Sequence, residues 1–207
     1  MTQLYITRHG ETEWNVLKKA QGFGDSPLTP RGIAQAECLA RRLKDISFDK
    51  VYASPLPRAF RTAGILLGGR GQAIETDDRI REIYLGDWEG RTFHDISAQY
   101  PQENAYFWSS PDLYEPITGE SYHDLRRRIE AFLREKVRQH DGGRILVVSH
   151  AMAVMTMISV FDGWPTSKFW EAKFIESASL SIVEADAGEA RIVLHADTSH
   201  LDGTAYG

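Results

Sequence analysis

Hydrophobic residues in this chain fall into two patterns, short apolar runs and longer stretches with helical spacing. Runs rich in β-branched and aromatic residues predict strands at residues 4–6, 51–53, 73–75, 145–148, 178–185 and 191–195. The run Ile145-Leu146-Val147-Val148 has no polar alternation, which is typical of a strand that is buried on both faces. The last two strands are predicted to pair through residues 186–189.

Helical spacing follows several of these strands. Helices are predicted to begin at Pro30, at about Pro57, after Ser121 and at Ala151. Thr29 can cap the first helix, and Gly68-Gly69 can end the second. Ser121 and Asp124 resemble a capping box at the start of the third.

Residues 92–118 have no clear period and place aromatic residues among prolines and acids. We predict that they form an insertion or cap on a scaffold in which strand, turn and helix alternate. Such alternation predicts an α/β fold. Because we find no repeat, low-complexity tract or interdomain linker, residues 1–207 are predicted to form a single domain.

Composition narrows the class of protein. The chain has 207 residues, of which 42% are hydrophobic and 26% charged, as in an ordinary globular domain. A net charge of −5 argues against nonspecific nucleic-acid binding, which requires a basic face. We expect the local basic run Arg126-Arg127-Arg128 to be a solvated face of a helix.

Neither a membrane segment nor a signal peptide is evident. No apolar run approaches membrane-spanning length, and the amino terminus enters a strand. We therefore expect a cytoplasmic protein with no membrane partner. The single cysteine, Cys38, cannot form an internal disulfide, which agrees with a reducing compartment, and we interpret it as a packing residue of the first helix.

Candidate chemistry lies where the predicted strands end. Arg8 and His9 follow the first strand, and Gly10 lets the backbone turn sharply. His150 follows the fourth strand, and Arg58 lies in the turn after the second. Ligands bind at this edge of open α/β sheets. Convergent guanidinium and imidazole groups can stabilise the transition state of phosphoryl transfer. Taken singly, each residue has an ordinary alternative as a turn histidine, a satisfied strand-end histidine or a surface salt bridge.

Five groups of residues follow one another in a recognisable order. They are Arg8-His9-Gly10-Glu11-Thr12 with Asn15; Gln21-Gly22 with Asp25, Pro27, Leu28, Thr29 and Gly32; Ser54, Arg58 and Thr62; Glu82 before Gly86-Asp87-Trp88-Glu89-Gly90; and Gly119-Glu120-Ser121 with Ser149-His150. Together they resemble the histidine phosphatase superfamily, or phosphoglycerate mutase-like family, over nearly the whole chain. The resemblance implies a three-layer αβα sandwich whose mostly parallel sheet has about six strands and helices on both faces.

The resemblance also implies a role for each matching residue. His9 would be the nucleophile and become a phosphohistidine. Arg8, Arg58 and His150 would hold the phosphoryl oxygens, and Glu82 would act as general acid and then as general base. Substrate contacts are predicted at Asn15, Gln21, Gly22, Tyr84, Ala151, Phe107 and Trp108. Because cationic groups take the place of a metal, neither a metal nor another cofactor is expected.

One residue departs from the family pattern. Many members have glycine after the second histidine, whereas this chain has Ala151-Met152. A backbone amide at that helix start can still reach a phosphate.

The expected function is metal-independent hydrolysis of small-molecule phosphomonoesters, with inorganic phosphate as a product. The residues after Glu82 resemble the phosphatase branch, and the insertion carries Glu103, Asp112 and Glu115 where family mutases have basic residues. A cofactor-dependent phosphoglycerate mutase and a phosphate-binding protein that has lost catalysis stay open as alternatives. The branch includes broad-specificity and α-ribazole phosphatases, and the sequence chooses neither.

The insertion is predicted to form a wall over the pocket. Tyr106, Phe107 and Trp108 would contact an apolar or ring-bearing leaving group, with ordinary core packing as the alternative for each. The sequence also leaves a homodimer open.

Overall fold

The computed structural model describes residues 1–201. Its strands are β1 (Thr2–Arg8), β2 (Lys50–Ala53), β3 (Ile74–Thr76), β4 (Arg144–Ser149), β5 (Leu180–Ala185) and β6 (Ala190–Asp197). Its α-helices are α1 (Glu13–Val16), α2 (Pro30–Arg42), α3 (Pro57–Leu67), α4 (Phe93–Gln99), α5 (Pro101–Ser109), α6 (Tyr122–Gln139) and α7 (Ala151–Phe161).

These strands form one sheet in the order β3-β2-β4-β1-β5-β6. β1 to β4 run parallel, whereas β5 is antiparallel to β1 and β6 is antiparallel to β5. The predicted parallel sheet with a closing antiparallel pair is confirmed. Because β1 lies between β4 and β5, the first strand is an interior strand whose partners come from far along the chain.

Alternating residues of β4 face two different layers of helices. On one side, Ile145 and Val147 belong to a core formed with α6 and α7. On the other, Leu146 and Val148 belong to a core formed with α2 and α3. All four side chains are fully buried, so the apolar run of β4 is explained and the three-layer arrangement is confirmed.

Helix ends follow the predicted signals. Thr29 caps α2 by accepting a hydrogen bond from the Gly32 amide at 2.9 Å, and Ser121 forms a capping box with Asp124 at the start of α6. α3 ends at Gly68, whose φ of 54° lies in the left-handed region. These helix predictions are confirmed, as is the burial of Cys38 on α2.

Residues 92–118 are more regular than their pattern indicates. They contain α4, α5 and a short 3-10 turn over Pro111–Leu113. The helical period of α5 is hard to see in the sequence, because three adjacent aromatic residues look alike there although only one of them is buried. Phe107 is 1% exposed, whereas Tyr106 and Trp108 are 38% and 42% exposed.

The basic run on α6 is a solvated face only in part. The side chain of Arg127 is 76% exposed and pairs with Asp124, whereas that of Arg128 is 15% exposed and pairs with Glu120. The expectation is wrong for Arg128, because its place on the helix turns it towards the backbone of residues 79–82.

The loop after β1 lies directly against the start of α2. A Cβ atom on Gly10 would lie 2.2 Å from the carbonyl oxygen of Gly32, and one on Gly32 would lie 2.0 Å from that of Glu11. Both distances are much shorter than a van der Waals contact, so the approach requires glycine on each side. This packing fixes the position of the loop that follows His9.

The substitution Gly32→Ala is therefore expected to destabilise the protein, whereas Gly64→Ala in α3 is expected to stabilise it. A Cβ atom at Gly64 would meet no neighbour within 4 Å. Replacing such a helical glycine with alanine contributes about 0.5–1 kcal/mol. Urea unfolding of both variants measures the two free energies, and equal effects would contradict the packing argument.

Candidate active site

The register of the sheet brings the ends of three strands together. Arg8 of β1 is paired with Ser149 of β4, and Ala53 of β2 is paired with Val148 of β4. The carboxyl ends of these strands therefore share one edge of the sheet. The residues that follow them are His9, Ser54 and His150.

His9 is oriented by contacts at both ring nitrogens. Its Nδ1 lies 2.7 Å from the carbonyl oxygen of Gly10, which can only accept, so Nδ1 carries the proton. Its Nε2 accepts from Nε of Arg58 at 3.3 Å. Burial, followed by the charges of Arg58 and Arg8, holds the pKa of His9 well below its ordinary value. His9 is therefore a neutral imidazole with its lone pair on Nε2.

His150 is fully buried and lies edge-on to His9, with the ring centroids 5.1 Å apart. Its Nε2 lies 2.8 Å from the hydroxyl of Ser54. The Ser54 oxygen accepts from the Leu56 amide at 3.3 Å, so its own proton is available for His150. Nδ1 of His150 is buried and has no hydrogen-bond partner within residues 1–201. Burial, followed by the charge of Arg58, holds the pKa of His150 well below its ordinary value.

Arg58 lies in the first turn of α3 and is 2% exposed. Its Nη1 donates to the carbonyl oxygen of Gly24 at 2.6 Å and to Asp25 at 3.0 Å, and its Nη2 donates to the carbonyl oxygen of Gly22 at 2.7 Å. The glycine-rich loop therefore wraps around the guanidinium group. Burial lowers the pKa of Arg58, and the hydrogen bond to Asp25 opposes this effect.

Arg8 is held by the loop that precedes β5. Its Nη1 donates to the carbonyl oxygen of Ile175 at 2.8 Å, and its guanidinium group lies 5.6 Å from the ring centroid of Phe174. The amide of Ala178 donates to the carbonyl oxygens of both Arg8 and His9, at 3.1 and 3.3 Å. Nε of Arg8 is buried and lacks a partner in the described part of the chain.

Glu82 joins this site from an irregular segment and binds the start of α7. One carboxylate oxygen accepts from the amides of Ile83 at 3.0 Å and Ala153 at 3.1 Å, and the other accepts from Met152 at 3.1 Å. The N-cap residue His150 makes no side-chain capping bond, so Glu82 satisfies the helix amides in its place.

These residues surround a cavity of about 200 Å³. Its polar lining includes Arg8, His9, Asn15, Lys19, Arg58 and Glu82. Its apolar lining includes Phe93, Phe107, Trp108, Met152, Trp170 and Phe174. His150 is not part of this lining. The cavity thus combines a cationic, imidazole-bearing region with an aromatic wall, which suits an ester of phosphate with an apolar group.

The predicted contacts in the first loop are brought to the cavity. Oδ1 of Asn15 accepts from the amide and the hydroxyl of Thr12, both at 3.0 Å, which leaves its NH₂ group for the cavity. Nε2 of Gln21 donates to Thr12 and, at 2.8 Å, to Ser26, so this side chain also holds the loop. The lining further includes Gln21, Gly22 and Ala151.

Tyr84 does not line the cavity. It is 40% exposed and packs on Phe23, with the ring centroids 4.9 Å apart. Its neighbours Ile83 and Leu85 both line the cavity, so the backbone between them turns Tyr84 outwards. The structure gives no support to the predicted substrate contact at Tyr84.

Phe107 and Trp108 line the cavity, whereas Tyr106 does not. Phe107 also belongs to the core, because its carbonyl oxygen accepts from the Tyr122 hydroxyl at 2.9 Å and from Nε1 of Trp170 at 2.7 Å. Trp108 stacks on Trp170, with the ring centroids 4.5 Å apart. Core packing and wall formation are therefore combined in Phe107, while Trp108 contributes mainly to the wall.

Several cavity residues were not predicted from the sequence, among them Lys19, Phe93, Trp170 and Phe174. Lys19 had a signal, because the pair Lys18-Lys19 lies one residue before the Gln21-Gly22 motif. Trp170 and Phe174 had none. They lie in and after the 3-10 turn Thr166–Glu171, where no simple period indicates the direction of a side chain.

Residues 1–201 contain neither a cluster of metal ligands nor a membrane-spanning helix. No three histidine, cysteine or acidic side chains converge there as ligands of an ion would. Each helix in this part of the chain is too short or too polar to cross a bilayer.

Relatives with known names cover almost the whole chain. Phosphoserine phosphatase 1 of Hydrogenobacter thermophilus is 32% identical over 201 residues, which span 97% of this chain and 95% of that protein. A Yersinia pestis protein named "Probable phosphoglycerate mutase GpmB" is 33% identical, with 98% and 96% covered. Among solved structures, Bacillus stearothermophilus YhfR has a TM-score of 0.94 at 38% identity, with 98% of this chain and 100% of that chain covered.

A family profile agrees with these relatives. The profile of the histidine phosphatase superfamily (branch 1) matches residues 4–198. The resemblance carried by the five motifs is confirmed over both the sequence and the fold. The chain belongs to branch 1 of the histidine phosphatase superfamily.

Proposed function

We propose that this protein hydrolyses small-molecule phosphomonoesters without a metal, through a phosphohistidine intermediate at His9. The orientation of His9 carries the proposal, because Nδ1 faces the Gly10 carbonyl at 2.7 Å and Nε2 faces Arg58 at 3.3 Å. A neutral imidazole whose lone pair lies beside guanidinium groups is suited to attack phosphorus that those groups hold. The family and its phosphoserine phosphatase relative support phosphatase activity.

In the first step, the Nε2 lone pair of His9 attacks phosphorus and the bond from phosphorus to the ester oxygen breaks. This oxygen leaves with the bonding electrons and takes a proton from Glu82, which yields an alcohol and a phosphohistidine. Arg8 and Arg58 stabilise the negative charge of the equatorial oxygens. The carbonyl of Gly10 stabilises the positive charge that the His9 ring acquires.

In the second step, water attacks the phosphohistidine. Glu82 takes a proton from the water as its oxygen bonds to phosphorus, and Nε2 of His9 leaves with the electron pair. Inorganic phosphate, neutral His9 and protonated Glu82 result, so the cycle closes.

Unpaired nitrogens support a phosphoryl site at this place. Within residues 1–201, three buried side-chain nitrogens lack a partner, and two of them are Nε of Arg8 and Nδ1 of His150. An unpaired buried donor costs about 1–3 kcal/mol, which an accepting phosphoryl oxygen would recover at Arg8, a residue of the cavity lining. The NH₂ group of Asn15 is a further donor at the cavity.

Hydrolysis is favoured over the mutase reaction by the charge of the insertion. Residues 92–118 contain no lysine or arginine, so they offer no cation for the carboxylate of a glycerate. The apolar lining instead suits an apolar or ring-bearing leaving group, as in broad-specificity or α-ribazole phosphatases.

Removing the nucleophile tests the proposal. His9→Ala is expected to lower the hydrolysis of p-nitrophenyl phosphate in EDTA by about a thousandfold or more. His123→Ala, at an exposed histidine in the first turn of α6, is the matched control and should retain activity. Acid-labile phosphate should appear on the wild type and not on His9→Ala. Equal rates for His9→Ala and wild type would overturn the proposal. A mutase would be assigned if the protein transferred phosphate on 3-phosphoglycerate, with its bisphosphate primer, and released no phosphate.

The neutral state of the two histidines is tested without substrate. Because their folded pKa values lie below the unfolded value of about 6.5, the unfolded chain binds more protons below that pH. The free energy of unfolding should therefore fall from pH 7.0 to 5.5, by up to about 1 kcal/mol for each ring. His9→Asn should lose less than the wild type over this interval in phosphate-free urea titrations. Equal losses would contradict a neutral His9.

Substitution in the wall should change substrate preference. Trp108→Ala is expected to lower kcat/KM for 1-naphthyl phosphate relative to glycerol phosphate by about three- to tenfold, because a stacking partner is lost. Tyr106→Ala is the matched control, since Tyr106 lies on the same helix, is similarly exposed and does not line the cavity. An unchanged ratio in Trp108→Ala would discard the wall.

A further inference from the structure

We propose that Arg128, paired with Glu120, positions Glu82 for proton transfer, an inference that rests on the proposed function of Glu82. Arg128 lies on α6, and the family motifs give it no role. Its side chain is 15% exposed and that of Glu120 is 21% exposed. The pair therefore lies largely out of solvent, where an ion pair is retained only when its geometry is good.

All the N–H groups of Arg128 are used. Nε and one hydrogen of Nη2 donate to the two carboxylate oxygens of Glu120, at 2.9 and 2.8 Å, in a bidentate pair. Nη1 donates to the carbonyl oxygens of Arg79 and Arg81, both at 2.7 Å. The other hydrogen of Nη2 donates to the carbonyl oxygen of Glu82 itself, at 2.7 Å.

Glu120 binds the same backbone segment further along, at Tyr84. Its second carboxylate oxygen accepts from the amide of Tyr84 at 3.0 Å, and its own amide donates to the Tyr84 carbonyl at 2.8 Å. The ion pair thus holds the backbone on both sides of Glu82.

The segment needs this support because it has no regular structure. Between the 3-10 turns Asp78–Ile80 and Gly86–Trp88 the chain forms no helix or strand. The carbonyl groups of Arg81 and Glu82 therefore have no ladder or helix partners, and buried carbonyl groups require a donor. Arg128 supplies that donor from one side, while the first turn of α7 binds the carboxylate from the other. The two attachments together fix the carboxylate at the cavity.

Lysine cannot replace arginine here. The planar guanidinium group presents donors in several fixed directions, whereas an ammonium group is a point charge on a flexible stem. Arg128→Lys keeps the positive charge but loses most of the backbone contacts. This one substitution therefore separates the effect of the positive charge at residue 128 from the effect of its contacts with the backbone around Glu82.

Two substrates of similar size distinguish positioning from general stability. p-Nitrophenyl phosphate has a good leaving group that needs little protonation, whereas benzyl phosphate releases a poor alkoxide that needs an acid. Glu82→Gln should lower kcat/KM for benzyl phosphate by about a hundredfold and change that for p-nitrophenyl phosphate much less. Arg128→Lys should show the same selectivity more weakly, about tenfold against less than about threefold.

A double-substitution cycle sharpens the test. If Arg128 acts through Glu82, Arg128→Lys should have little further effect on benzyl phosphate in the Glu82→Gln protein. Glu120→Gln weakens the same ion pair from the other partner and should give the same selectivity. It serves as the second variant if Arg128→Lys folds poorly. Arg127→Lys is the matched control, because Arg127 is the exposed neighbour on α6.

The outcomes separate the two claims. Absence of leaving-group selectivity in Glu82→Gln would reject the acid role in the proposed function. Selectivity in Glu82→Gln, together with equal losses on both esters in Arg128→Lys and Glu120→Gln, would reject positioning by Arg128. Full additivity of Arg128→Lys and Glu82→Gln would also reject it.

Discussion

The parallel pairing of β1 with β4 sets the position of both histidines. Arg8 and Ser149 are register partners, so the next residue of each strand leaves the sheet at the same point. A shift of one residue would turn every side chain of a strand to the opposite face. Burial on both faces makes such a shift costly, because β4 contacts helices above and below the sheet. The core thereby protects the geometry of a site that lies outside it.

Guanidinium groups in and around the site are oriented largely by backbone carbonyl groups. Arg58 donates to the carbonyls of Gly22 and Gly24, and Arg8 donates to that of Ile175. A carbonyl oxygen satisfies a donor without cancelling its charge, and among the contacts described for Arg8 and Arg58 only the one to Asp25 brings an opposite charge. Burial, followed by the charge of these arginines, holds the pKa of His9 and His150 well below its ordinary value. The backbone carbonyl groups thus orient the arginines, while the guanidinium groups keep a positive charge for an anionic ligand.

Most of the fold could be predicted because its signals are local. The apolar run of β4, the cap at Thr29 and the capping box at Ser121 depend on neighbouring residues only. Candidate site residues could be found because their motifs recur in a fixed order. The burial of Arg128 could not be predicted, because consecutive residues on a helix point in different directions and the packing of α6 decides which one is buried. The outward direction of Tyr84 could not be predicted either, because an irregular segment sets it.

The position of β1 inside the sheet has a consequence for synthesis on the ribosome. β1 leaves the exit tunnel before its neighbours, yet one neighbour is residues 144–149 and the other is residues 180–185. Until both have emerged, the nascent chain carries β1 as an apolar strand with two open edges, which is prone to wrong pairing. Pairing over such sequence separations is also slow. A chaperone that shields β1 as it emerges would therefore act on the segment that leads to His9, well before this imidazole meets Arg58.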